Sequence, residues 1–200
     1  MTSAASIYQR LAQPWKHGAY EDMRNIVCDD ALDLSDKKLC GVDFRGAYFK
    51  APVIFSRAQF QGVSWFEGAV FEGDVYLDHA QFDNDARFEH CHFKKNVHAN
   101  SAEFRGVASF NHALFDGTCD LSHVVSYGNF ALENTRFSQK VSFDAAEFMG
   151  GLWCDHCDLT NPASFSESQV HGRLWLRDAR HTNQPLGAEA FNLAFGYIYM

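Results

Sequence analysis

The chain has 200 residues, 46% of them hydrophobic, which is enough to bury a sizeable core and too apolar for a disordered segment. Lys and Arg number 17 against 25 Asp and Glu, a formal charge of −8, which argues against a protein that holds nucleic acid directly by neutralising phosphates. No run of about 18 apolar residues is present to span a bilayer, and Met1 to Arg10 lacks the apolar centre of a signal peptide, so the cytoplasm is the expected compartment.

Residues 1–31 read as an N-terminal helical cap. Ile7, Leu11 and Trp15 fall at i, i+4 and i+8, and Tyr20, Met23 and Val27 at i, i+3 and i+7, the spacing of apolar helix faces. Pro14 is placed to bend or end the first helix. The expected task of this segment is to cover the open end of the repeat array that begins near residue 32, with a partner-binding helix as the alternative.

Residues 32–181 repeat. From Phe44 the chain divides every eleven residues without insertion or deletion, beginning FRGAYFKAPVI, FSRAQFQGVSW and FEGAVFEGDVY. Of the 19 Phe, sixteen occupy the first and sixth slots of these blocks, and Phe130 takes a tenth slot after Ser126 replaces a sixth-slot Phe. Small–x–large triplets such as Ala47-Tyr48-Phe49 alternate with a period of two, as a strand does. Each triplet precedes a polar group rich in Gly, Asn and His, suited to a turn with positive φ. Two sides of an eleven-residue coil would not enclose two Phe and two smaller side chains, so four sides and about 22 residues per coil are expected. Six to seven such coils at the strand spacing give a rod of about 30 Å.

Leu34, Leu39, Phe44 and Phe49 keep five-residue steps before the alternation of five and six begins. With a large Leu or Phe at each centre and a small residue two positions earlier, the segment from about Leu34 to His181 resembles the pentapeptide-repeat proteins. It looks like the Phe-centred variant with an 11-residue, 5+6 period. The resemblance implies an all-β solenoid, a right-handed quadrilateral β-helix.

Residues 182–200 form an apolar tail, with Phe191, Ala194, Phe195 and Ile198 at i, i+3, i+4 and i+7 and one charge, Glu189. A C-terminal cap or a homodimer contact would bury it, and the resemblance to the topoisomerase-directed members of the family suggests the homodimer.

Several residues stand out as site candidates. Cys154 and Cys157 form a CxxC, but both fall in inward slots, as do Cys91 and Cys119, so core filling is expected. Six Cys without regular pairing suit a reducing compartment. His recurs in the third slot, and two blocks per coil would stack His90 on His112 along one edge. That pair is a weak candidate for metal binding or pH sensing against a solvated corner, and no cofactor is expected.

Second-slot residues on one edge run Arg45, Glu67, Glu89, Asn111, Glu133, Asp155, Arg177, with seven acids and one base, Arg87, between Glu67 and Glu89. Such rows either keep the rod soluble or imitate a phosphate ribbon. Trp153 and Trp175 would stack outward on neighbouring coils, as a partner surface or beneath the tail. No Walker loop, GxSxG or HExxH is present, and a filled Phe core leaves no substrate cavity, so no enzyme is expected.

The leading functional reading is a non-enzymatic scaffold that binds another protein through flat faces. Its candidate contacts are Glu67, Glu89, Glu133, Asp155, Trp153, Trp175, Phe191 and Phe195. The alternative, implied by the resemblance, is an acidic DNA mimic acting on a type II topoisomerase, DNA gyrase or topoisomerase IV.

Overall fold

The computed structural model describes residues 2–159 and 162–200. Ser3 caps a helix over Ala4–Leu11, its Oγ accepting the Ser6 N–H, and Ile7 and Leu11 are buried against the first coil. The Cys40 N–H donates to the Leu11 carbonyl at 2.9 Å, so the helix end is tied to the solenoid it covers. From Tyr20 onward the chain winds through strands of two or three residues. These stack into four sheets of nine, nine, seven and eight described strands, parallel throughout except for one terminal hairpin.

The register follows from the sequence period. Phe71 pairs with Phe93 and Phe93 with Phe115, each one coil of 22 residues apart, so every inward slot sits above its own equivalent. Rings in these ladders lie almost parallel: Phe66 and Phe88 are 4.5 Å apart at 4°, Phe88 and Phe110 4.9 Å at 3°, and Phe60 and Phe82 4.7 Å at 5°. Each such pair contributes about 0.5–1.5 kcal/mol beyond the burial of its area. Corners are set by the third slot. All thirteen third-slot residues from Gly46 to Asp178 have φ between 54° and 68°, the left-handed conformation that turns the chain between adjacent sides.

Where the sixth-slot ladder loses its ring at Ser126, Phe130 leans in from the adjoining side. Its centroid lies 5.8 Å from Phe104 and 5.2 Å from Phe148, the two rings that flank the gap. At another corner, the coils approach so closely that a Cβ built at Gly128 would lie 2.4 Å from the Gly106 carbonyl oxygen. Such an approach admits only glycine.

The solenoid is longer than the repeat count predicts, with about eight coils rather than six to seven, or roughly 40 Å at the strand spacing. At the N-terminus, the second helix face expected at Tyr20, Met23 and Val27 does not form. Met23 and Asn25 donate to the Asp43 and Arg45 carbonyls at 2.9 Å, committing this backbone to the ladder of the first coil. Met23 and Cys28 are buried where later coils carry Phe, and Cys28 pairs in register with Phe49. Asn25 and Asp36, with φ of 56° and 60°, continue the series of left-handed corners.

The C-terminal helical spacing is likewise overturned. Arg180–His181 and Gln184–Pro185 form a hairpin through Thr182 and Asn183, followed by a 3₁₀ turn at Ala188–Ala190. Leu193–Ala194 and Ile198–Tyr199 then add strands to two faces. The last open coil offers unpaired carbonyls, and the tail satisfies them: Asn192 donates to Ser168 at 2.9 Å and Phe195 to Val170 at 3.0 Å.

Candidate functional site

One face of the solenoid collects most of the singled-out residues. Its eleventh-slot side chains point outward in the order Trp65, Arg87, Ser109, Ala131, Trp153, Trp175, and its last strand adds Tyr199. Parallel register places Trp153 beside Trp175, with ring centroids 5.8 Å apart and planes tilted by 50°. Trp175 in turn stacks on Tyr199 at 3.9 Å and 11°. The tail covers one side of Trp175, as one of the two expectations has it, and each indole remains half-buried at the surface. Sequence reasoning missed Tyr199, because its place in this column depends on the tail forming a strand rather than a helix.

The second-slot edge borders this column, and its charges are partly compensated. Arg45 Nη2 contacts Asp43 Oδ2 at 2.6 Å, and this hydrogen bond raises the pKa of the guanidinium. Arg87 pairs with Asp85 at 2.7 Å and Glu89 at 3.6 Å, and the bond to Asp85 likewise raises it. Arg177 pairs with Asp155 at 3.1 Å, and the Asp155 carboxylate also accepts the Arg177 backbone N–H at 3.2 Å. Glu67 is exposed, and neither it nor Glu133 makes an ion pair among the described residues. Glu89 differs again: its Oε2 is shut off from solvent with no hydrogen-bond partner among the described residues.

The acidic run between Glu67 and Glu89 is also less bare than its local sequence. Glu72 holds Lys94 at 2.7 Å and Asp83 holds Arg105 at 3.0 Å, each base supplied by the next coil. The Lys94 bond depresses the pKa of the Glu72 carboxyl. Asp74 and Asp78 accept the Asn96 and Asn100 backbone N–H groups at 3.0 and 3.3 Å. These contacts do not build a continuous ribbon of free negative charge.

His90 and His112 stack as the period predicts, at 4.8 Å and 4°, both exposed at left-handed corners. Among the described residues no group of three His, Cys, Asp or Glu is arranged to hold a metal ion. The CxxC cysteines are core residues, each 1% exposed, and burial pushes the Cys157 thiol well above its ordinary pKa. Burial likewise raises the thiols of Cys91 and Cys119. A thiol held neutral in this way is neither nucleophile nor metal ligand.

At the C-terminal end the two tail phenylalanines part company. Phe191 is 6% exposed and packs on Phe165 at 4.9 Å, closing the last coil, whereas Phe195 is 69% exposed. No described helix is long and apolar enough to cross a membrane.

The family profile described as pentapeptide repeats, in nine copies, matches residues 44–92 and 88–130. No curated protein matches the chain. The left-handed corners and buried inward ladders of the matched blocks continue into the coils on either side, with Met23, Cys28, Leu34 and Leu39 in place of Phe in the first. Over residues 44–130 the chain is built of pentapeptide repeats.

Proposed function

We propose that the protein is a non-enzymatic scaffold that binds another protein through the face carrying Trp153, Trp175 and Tyr199. The observation that carries this reading is an aromatic column left partly open on a rigid sheet, beside carboxylates at its edge. Large aromatic side chains on a preorganised surface lose little entropy on binding and dominate interface energies. The interior supports a scaffold rather than an enzyme, because Phe, Leu and Ala side chains fill it and the carboxylates are spread along edges by the repeat. The compensated acidic run weighs against the topoisomerase-directed mimic as the leading reading.

The test is affinity capture from source cells with the wild-type chain, a Trp153→Ala/Trp175→Ala variant, and a control altered on the opposite face at His98→Ala. A protein retained by wild type and control, and lost from the tryptophan variant with its circular dichroism unchanged, supports the scaffold. Equal retention by all three, or none, overturns it.

A second reading rests on the C-terminal end, where Phe195, Tyr197 and Met200 are 69%, 77% and 77% exposed. We propose that two copies associate there, since a contiguous apolar end is poorly tolerated in water. Sedimentation equilibrium of wild type against a Phe195→Ser/Tyr197→Ser variant tests it, and a monomeric wild type at high micromolar concentration refutes it.

A further inference from the structure

Beside the tryptophan column lies an open cleft of about 230 Å³ lined by Glu133, Trp153, Asp155 and Trp175. We propose that this cleft receives the guanidinium of an arginine side chain presented by the bound protein, an inference that rests on the scaffold reading and names the chemistry it recognises.

Four features of the cleft select this ligand. First, both indole Nε1 atoms are shut off from solvent and lack a hydrogen-bond partner among the described residues. The half-exposed rings therefore offer their carbon framework and π surface, not a donor, and the π face of Trp is the strongest aromatic attractor of a cation. Second, the planes tilt by 50° and the position in register below Trp153 is Ala131, so no large side chain from that coil fills the space under the Trp153 ring. Third, the Asp155 carboxylate is already engaged by Arg177 at 3.1 Å, leaving the local excess of negative charge on Glu133, which makes no ion pair among the described residues. Fourth, Asp155 is only 8% exposed, so a cation entering the cleft meets carboxylates in a partly desolvated setting where their attraction is least screened.

Anions are excluded by the same carboxylates. A quaternary ammonium would satisfy the rings but has no N–H to give Glu133. A lysine ammonium would bond Glu133 but is strongly hydrated and does not stack. Guanidinium does both: it is planar, stacks on indole and donates to a carboxylate through a fork of N–H groups. Arg177 already donates one guanidinium N–H, from Nη2 to Asp155 Oδ2 at 3.1 Å, on the same edge.

The experiment titrates the full chain with the capped tripeptide acetyl-Gly-Arg-Gly-amide, reading the four indole N–H signals by NMR. Saturable shifts at Trp153 and Trp175, with Trp15 and Trp65 still, are expected. Citrulline in place of arginine should weaken binding about tenfold or more, and Glu133→Gln should weaken arginine binding by a similar factor, the loss of one charge-assisted hydrogen bond. The trimethyl-lysine peptide should bind more weakly than arginine to the wild type, and should lose less than arginine does on Glu133→Gln, because it forfeits the charge attraction but no hydrogen bond. No shift at Trp153 and Trp175 up to about 50 mM peptide, far above the weakest useful single-residue affinity, overturns the proposal. Equal binding of arginine and citrulline, or tighter binding of trimethyl-lysine, overturns it as well. If the peptide fails while the captured protein still depends on Trp153 and Trp175, the cation site falls and the scaffold stands; if capture itself fails, the scaffold reading falls first.

Discussion

Phe130 and Ser126 offer a direct test of whether the core is set by volume summed over neighbouring slots. Ser126 is fully buried, with its Oγ donating to the Gly128 carbonyl at 3.0 Å, and it pairs in register with Phe104 on one side and Phe148 on the other. Phe130 fills the missing ring volume from the next side of the coil, at a position whose predecessor in register is Ala108. Phe130→Ala removes that ring with no neighbour able to replace it, at a cost of about 3–5 kcal/mol. Ser126→Phe alone places two rings in one space and costs about 1–3 kcal/mol. The double variant restores the unbroken ladder found elsewhere, with a ring at position 126 between Phe104 and Phe148 and a methyl group at position 130 continuing the column from Ala108. It should lie within about 2 kcal/mol of wild type, a favourable coupling of at least about 2 kcal/mol. Urea denaturation followed by far-ultraviolet circular dichroism measures all four corners of the cycle, with slopes checked for constancy. Additive losses, leaving the double variant less stable than either single variant, would refute compensation across sides.

The corners and the thiols can be probed more simply. Gly128→Ala should cost about 1–3 kcal/mol, because its Cβ would press 2.4 Å from the Gly106 oxygen. Ala145→Gly, at φ 54°, should instead raise stability by up to about 1 kcal/mol by removing a Cβ from a left-handed corner; urea midpoints check both. All six cysteines are buried and unpaired, so they should resist a disulfide-exchange reagent at pH 8 and react together on unfolding. Burial raises the Cys91, Cys119 and Cys157 thiols, so their contribution is complete below the unfolded pKa of about 8.5 and lost as pH climbs toward the folded values. A Cys119→Val variant should show a shallower alkaline fall in urea midpoint than wild type, and an unchanged slope would contradict the burial argument.

Much of this fold can be read from the chain because the period is rigid. Sixteen Phe at fixed slots specify the inward ladders, and the same period correctly stacks His90 on His112 and Trp153 beside Trp175. The features that the period misses have physical causes. The first coil hides because Met23 and Cys28 replace Phe and because one block there is a residue short, which breaks the register of a fixed period. The tail hides because its apolar spacing suits a helix equally well, and only the unpaired carbonyls of the preceding coil decide for strands. A local window overstates the charge of the acidic run for a geometric reason: Lys94 and Arg105 stand 22 residues beyond Glu72 and Asp83, outside any such window yet in direct contact. In a solenoid, the relevant neighbourhood of a residue is one coil away.

That spacing bears on how the molecule comes into being. Each strand bonds to the one 22 residues before it, so a coil has its whole template as soon as one more turn of chain exists. The helix at Ala4–Leu11 closes the first coil and leaves growth open in one direction only, the direction in which a ribosome delivers the chain. Assembly can therefore keep pace with synthesis at a constant loop-closure cost per coil, like a zipper with its slider at the exit tunnel. The inward rings of the last coil are the face that such a growing end presents at every earlier step, and here Leu186 and Phe191 cover it, Phe191 packing on Phe165 at 4.9 Å.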